Sequence, residues 1–258
     1  MEAGQLKNTL QQRLSVQRMN NLVNSLYLIY CDIKVNQKLR PSKMPQNNNN
    51  TVRSFDYISV SRYNKRQVYQ GFFSVEEYDL SYKKFDGSHS EVVTRGALIS
   101  SDAVIVLPYD PVSDRVLLVE QFRTGPYVNG DTNPWVLEPI AGLIDVGETP
   151  EEAALREAKE EACIELTHME LVARSYPSPG ISTEFFHKYI GIVSLPESTD
   201  VICGLQSESE DIRSHIFTYD KFSDMISNGS INVGPAILLG LWLSNNRERL
   251  RKRSVIFR

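Results

Sequence analysis

The stretch Gly142–Ile164, GLIDVGETPEEAALREAKEEACI, decides how this chain is read. Its fixed points are Gly142, Glu148, the pair Arg156-Glu157 and the pair Glu160-Glu161. Thr149-Pro150-Glu151-Glu152 starts a helix: threonine caps, proline suits the first turn, and Glu152 follows three residues after Thr149 as a capping box. The spacing predicts helix to about Glu165, kept slim by Ala153, Ala154, Ala158 and Ala162, with Leu155, Cys163 and Leu166 as bulkier apolar contacts. Glu157, Glu160 and Glu161 fall at i, i+3 and i+4, so three carboxylates leave one face. Each such like-charge pair costs about 0.2–0.5 kcal/mol. A divalent cation reverses that sign, because hard ions favour carboxylate oxygens and Mg²⁺ takes one or two carboxylates with waters and phosphate oxygens. The plain alternative is a solvated acidic helix whose glutamates pair with Arg156 and Lys159. Against it stands the lead-in: Ala141-Gly142 and Gly147-Glu148 predict a tight loop, which a solvated face does not need.

Outward from this helix the pattern is α+β. Strands are expected at Tyr57–Val60, Val68–Phe73 and around Tyr78, Leu80 and Tyr82, with Asp86-Gly87 as a hairpin signal. Ala103–Leu107 and Arg115–Glu120 are read as a strand pair about the turn Pro108-Tyr109-Asp110-Pro111. Met169–Tyr176, His187–Val193 and Ser214–Thr218 follow as strands, then helices at Tyr219–Asn228 and Pro235–Arg251. Gln11–Ile33 has a loose helical periodicity, and a Lys/Pro stretch ending in an asparagine tract separates it from the rest. The expected organisation is a leader at 1–53, a strand region at 54–100, the main domain at 101–251 and a tail at 252–258. The leader is either a partner-docking helix or an unstructured segment.

At 258 residues the chain can bury one substantial core. It is 41% apolar and 23% charged with net charge −4, a balance that predicts neither a nucleic-acid face nor a membrane-binding patch. Three cysteines (Cys31, Cys163, Cys203) without a C-x-x-C spacing predict free thiols in a reducing compartment, with cytoplasm as the default. Leu26–Tyr30 is too short to span a bilayer, and the residues before it do not resemble a signal peptide.

The 142–164 stretch resembles the box of the Nudix hydrolases, which cut a diphosphate linked to another moiety. Gly142, Glu148, Arg156, Glu157, Glu160 and Glu161 match its pattern, and six fixed matches arise by chance on the order of once in 10⁷ windows. Cys163 departs from it, standing where the family has glycine. The resemblance implies an α/β/α sandwich with a mixed sheet and N-terminal strands exchanged across a homodimer. It implies that Ala141 lends a carbonyl to a metal, that Glu157, Glu160, Glu161 and Glu210 carry metals (Mg²⁺, with Mn²⁺ as the alternative), and that Glu148 braces Arg156. Glu208 is the implied general base, with Glu161 as the alternative.

Glu120-Gln121-Phe122-Arg123, Trp135 to Gly142, Ser178-Pro179-Gly180 and Glu208 to Ile212 are similar to the ADP-ribose pyrophosphatase branch of that family. This implies hydrolysis of ADP-ribose to AMP and ribose 5-phosphate. GDP-mannose, or binding of a nucleotide without catalysis, are the alternatives. Phe72 would stack on the base, Arg95 and Arg123 would neutralise phosphates, and Ser178 and Glu184 would contact the rest of the substrate. The ordinary readings are an interface aromatic for Phe72 and a surface ion pair for Arg123.

Overall fold

In a computed structural model, which describes residues 55–199 and 201–256, the chain divides after Ile99 into two compact units. The leader, its Gln11–Ile33 periodicity and Cys31 lie outside the described residues.

The first unit is an antiparallel sheet ordered β1 (Val60–Gln70), β2 (Ser74–Tyr82), β3 (Val93–Ile99). Tyr57–Ser59 is a 3-10 turn rather than the expected strand, and Val68–Phe73 is the end of β1 plus its turn. The reason is local: the Gly71 N–H donates to Phe73 O (2.9 Å), closing the hairpin where a second strand was expected. Every residue of β1 is exposed, including Tyr63, Val68 and Tyr69. Its position is fixed by the ladder to β2 and by Arg66, which donates to both Glu77 (3.2 Å) and Asp79 (2.8 Å).

The second unit is built on an eight-stranded mixed sheet. Its path runs β10 (Ile202–Cys203), β11 (Ile212–Thr218), β5 (Arg115–Phe122), β4 (Ala103–Asp110), β9 (Phe186–Ile192), β8 (His168–Ser175). Short strands β6 (Trp135–Glu138) and β7 (Ile140–Leu143) extend it beside β5 and β4. Only β4 and β9 run parallel among these pairs. All eight residues of β4 are buried, as a strand covered on both faces requires. Val104, Val106, Leu117 and Val119 pack on one face against the alanines of helix α2 (Pro150–Ala162), which follows the short helix α1 (Thr124–Val128). Ile105, Leu107, Val116 and Leu118 pack on the other against α3 (Tyr219–Ser227) and α4 (Gly234–Ile256). Period-two strands between helical layers give the expected α/β/α arrangement.

Pro108 lies inside β4, not in the turn assigned to it. Beside β4, β7 pairs Ala103–Val106 and β5 pairs Tyr109–Asp110, so Pro108 falls in the gap between two partners, where its missing N–H costs no ladder bond on that side. The turn comes later, with Asp110 Oδ1 accepting from the amides of Val112 (2.9 Å) and Ser113 (3.2 Å). Helix α2 stops at Ala162, short of Glu165, and Leu155 is exposed rather than packed.

Candidate active site

Helix α2 presents the carboxylates because its start is pinned. Thr149 Oγ1 accepts from Glu152 N (3.2 Å) while Glu152 Oε2 accepts from Thr149 N (2.8 Å), the reciprocal capping box read from the sequence. Ala153, Ala154, Ala158 and Ala162 bring the helix close to the sheet, and this carries Glu157 and Glu161 inward with them. Glu161 is 2% exposed and its Oε2 accepts the Ala141 N–H (3.0 Å). Glu157 lies on the backbone of β7: a Cβ at Gly142 would sit 1.9 Å from its carboxyl carbon. Gly142 is therefore a strand residue required for close approach, not the loop residue expected; the turn glycine is Gly147 (φ 86°).

Arg156 ties the cluster together. Its Nε and Nη2 fork onto Glu148 (2.9 and 3.0 Å), Nη1 donates to Glu157 (2.6 Å) and Glu160 (2.9 Å), and Nη2 also reaches Leu143 O (3.0 Å). The same guanidinium holds the Glu148 carboxyl below its ordinary value. Burial, with Glu160 and Glu210 as like-charged neighbours, pushes Glu157 up to about 7, although Arg156 opposes the rise. Burial together with Glu157 and Glu210 pushes Glu161 up to about 8, against the Ala141 N–H.

The loop after β10 adds to the cluster. Gly204 (φ 109°) donates its N–H to Glu160 O (3.0 Å), and Leu205 N donates to Glu210 Oε2 (3.0 Å). A 3-10 turn, Gln206–Glu208, then carries Glu208, whose carboxyl is raised by partial burial and by Glu210 and Glu160. A region holding Glu148, Glu157, Glu160, Glu161, Glu208 and Glu210 around one central arginine is short of positive charge. The oxygen donors fit a hard divalent cation by type and by uncompensated charge. As the side chains stand, no group of three or more acidic, histidine or cysteine residues converges on one ion position among the described residues; Arg156 holds Glu148, Glu157 and Glu160, while Glu161 and Glu210 accept backbone N–H groups.

A family model for the NUDIX domain matches residues 100–233. The chain belongs to the NUDIX family. It is 34% identical over 203 residues to the ADP-ribose pyrophosphatase of Haemophilus influenzae, covering 78% of this chain and 93% of that protein. It is 32% identical over 213 residues to the ADP-ribose pyrophosphatase of Escherichia coli K12, covering 83% and 98%. A crystal structure described as an ADP compounds hydrolase aligns with a TM-score of 0.54 at 24% identity, over 73% of this chain and 96% of that one, and shares the fold.

Within the NUDIX unit, Arg123 Nε donates to Glu138 Oε1 (2.7 Å), a buried partner raised by desolvation to which the sequence reading gave no role. The signal for it was its place in Trp135–Gly142, one strand across from Arg123. A cavity of about 560 Å³ opens beside this pair, lined also by Asn129, Asp131 and Asn232. Glu184 is half-buried, with its carboxyl raised by desolvation and by Asp102, and opposed by Arg123. Ser178 is an exposed turn residue whose carbonyl accepts from Ser182 N (2.9 Å). Phe72 (77% exposed) and Arg95, whose Nη1 donates to Thr94 O (2.9 Å), belong to the first unit.

Two expectations about cysteine fail. Cys163 and Cys203 are bonded as a disulfide, so they are not free thiols. Nor is Cys163 a buried helical residue: it is exposed and caps α2 in the left-handed region (φ 54°), with its N–H on Lys159 O and the next N–H, of Ile164, on Ala158 O. A non-glycine residue there costs roughly 1–2 kcal/mol.

Proposed function

We propose that this NUDIX enzyme hydrolyses the diphosphate of ADP-ribose, giving AMP and ribose 5-phosphate, with Mg²⁺ as the working cation. The observation that carries the reading is the acidic cluster of α2 and the 204–211 loop around Arg156, set in a chain similar over most of its length to proteins named for this reaction. Glu157, Glu160, Glu161, Glu210 and the Ala141 carbonyl are the proposed ligands. A divalent cation there would neutralise the diphosphate and lower the pKa of a coordinated water. Glu208 is assigned as the base that takes the proton from the attacking water, since it is an exposed carboxylate of the loop and its raised proton affinity suits the task. Glu148 holds Arg156, and Arg156 in turn aims Glu157 and Glu160.

Arg123 is assigned to the phosphates, steadied by Glu138, with Ser178 and Glu184 facing the remainder of the substrate. In the first unit, Phe72 is assigned to stack on the base and Arg95 to meet the phosphates, with the exposed edge of β1 as the homodimer contact. No helix among the described residues is long and apolar enough to cross a membrane; cytoplasm is the proposed location. The test is a kcat/KM ranking over nucleoside diphosphate sugars. ADP-ribose ranks first if the reading holds; a preference for GDP-mannose moves the assignment to that substrate, and no turnover of any sugar leaves only nucleotide binding.

A further inference from the structure

The cysteine bond sits at a functional position. Cys163 is the residue that ends α2, the helix proposed to carry metal ligands, two residues past Glu161. Cys203 is the last residue of β10, directly before the loop that carries Glu208 and Glu210. The bond therefore joins two stretches of the proposed site that are 40 residues apart in the chain.

The loop needs such a tie. Strand β10 has two residues, Ile202 and Cys203, and lies at the end of the sheet path with two register pairs to β11. A strand that short holds little by itself. Gly204 N–H to Glu160 O is a second tie between loop and helix, and it immediately follows Cys203. Gly204 in turn fits against Glu210, whose Cβ would lie 2.8 Å from a Cβ at that position. Helix end, sulfur bridge, Gly204 and Glu210 thus form one connected chain of contacts. Position 163 adopts a backbone conformation for which glycine is the default, and the residue that stands there is the cysteine that forms the bridge.

We propose that Cys163 and Cys203 are positioning residues whose bond clamps the Glu208–Glu210 loop onto the carboxyl end of α2, so that thiol–disulfide exchange sets how tightly the site holds its cations. The inference rests on the ligand roles proposed for Glu160, Glu161 and Glu210. The chemistry balances with a low-molecular-weight disulfide as oxidant. The thiolate of Cys163, on the exposed side of the pair, attacks one sulfur of the small disulfide and releases a small thiolate. The Cys203 thiolate then attacks the Cys163 sulfur and releases the second, so two protein thiols become one disulfide and the small disulfide becomes two small thiols. Excess small thiol reverses both steps. In the reduced protein the loop keeps its sequence and its hydrogen-bonding groups but loses the covalent tie. If it then holds its competent arrangement about a tenth of the time, apparent cation affinity falls roughly tenfold.

The experiment compares full-length protein oxidised with glutathione disulfide, the same protein reduced with dithiothreitol, and the variants Cys203→Ser and Cys163→Gly. Cys163→Gly removes the bridge while relieving the left-handed backbone, which separates loss of the clamp from loss of folding. Peptide mapping reads the bond, amide hydrogen exchange in EDTA reads residues 204–211, and a thermal-shift titration with MgCl₂ reads cation binding. Slow exchange of 204–211 in the oxidised form alone, with a Mg²⁺ midpoint roughly tenfold lower than in the reduced form and both variants, supports the proposal. Equal exchange and equal midpoints in the two redox states, or no Cys163–Cys203 peptide after oxidation, would overturn it. These readouts need no substrate, so a failure to hydrolyse ADP-ribose would count against the assigned reaction and not against the clamp.

Discussion

Replacing Glu161 with glutamine should make the metal-free protein more stable while abolishing most of its activity. Glu161 is 2% exposed and pushed up to about 8 from 4.5, first by burial and then by Glu157 and Glu210. Its folded-state value lies above its unfolded one. The stabilisation from the protonated form is therefore complete below about pH 4.5 and is lost as pH rises toward 8. At pH 7.5 some three pH units of that loss have accumulated, about 4 kcal/mol at 1.36 kcal/mol per unit. Glu157 titrates in the same window and shares the cost, so about 2 kcal/mol belongs to Glu161. Glutamine keeps an oxygen for the Ala141 N–H and carries no charge. The expected gain in melting temperature at pH 7.5 is about 4–8 °C, given 2–4 °C per kcal/mol for a chain of this size. Calorimetry in EDTA at pH 5 and pH 7.5 reads it, and at pH 5 the two proteins should differ little. With Mg²⁺ the variant should lose roughly a hundredfold or more in kcat. A variant less stable at pH 7.5, or one with the same gain at both pH values, would refute the reasoning.

Gly142→Ala should displace the Glu157 carboxyl, because its Cβ falls 1.9 Å away; urea unfolding should show about 1–3 kcal/mol lost, and activity should fall with it. Arg156→Lys replaces a five-donor fork by one ammonium, so kcat should drop at least roughly tenfold even at saturating Mg²⁺, read by steady-state kinetics. Deleting residues 1–43 should leave thermal unfolding and kcat/KM unchanged; a large drop in either would place the leader in the working structure. Sedimentation at micromolar concentration should give twice 29.3 kDa, and an active monomer would contradict the dimer.

The helix of carboxylates was legible because several local rules agree there: a capping box, proline in the first turn, an alanine stripe and the i, i+3, i+4 spacing. Strands β4 and β5 were legible as apolar runs, being buried on both faces. What escaped was set by tertiary partners. β6 and β7 have four residues each on either side of Pro139, too short to show a period, and they exist as strands because β5 and β4 offer ladders. Pro108 reads as a turn until the change of neighbour beside it is known. Cys163 reads as a small apolar residue where the family glycine permits either close packing or a positive φ, and the backbone decides for a left-handed cap. Its bond to Cys203 spans 40 residues, and pairing is not deducible from one sequence.

The most direct test of the account follows the phosphorus NMR spectrum of ADP-ribose incubated with the full-length enzyme while Mg²⁺ is raised from zero in EDTA. The account predicts that the diphosphate signals give way to AMP and ribose 5-phosphate in equal amounts, only once Mg²⁺ is present. With Glu160→Gln the same conversion should be slower by roughly a hundredfold or more. Cleavage that proceeds equally well in EDTA, an unchanged rate in Glu160→Gln, or an intact diphosphate at saturating Mg²⁺ would contradict it.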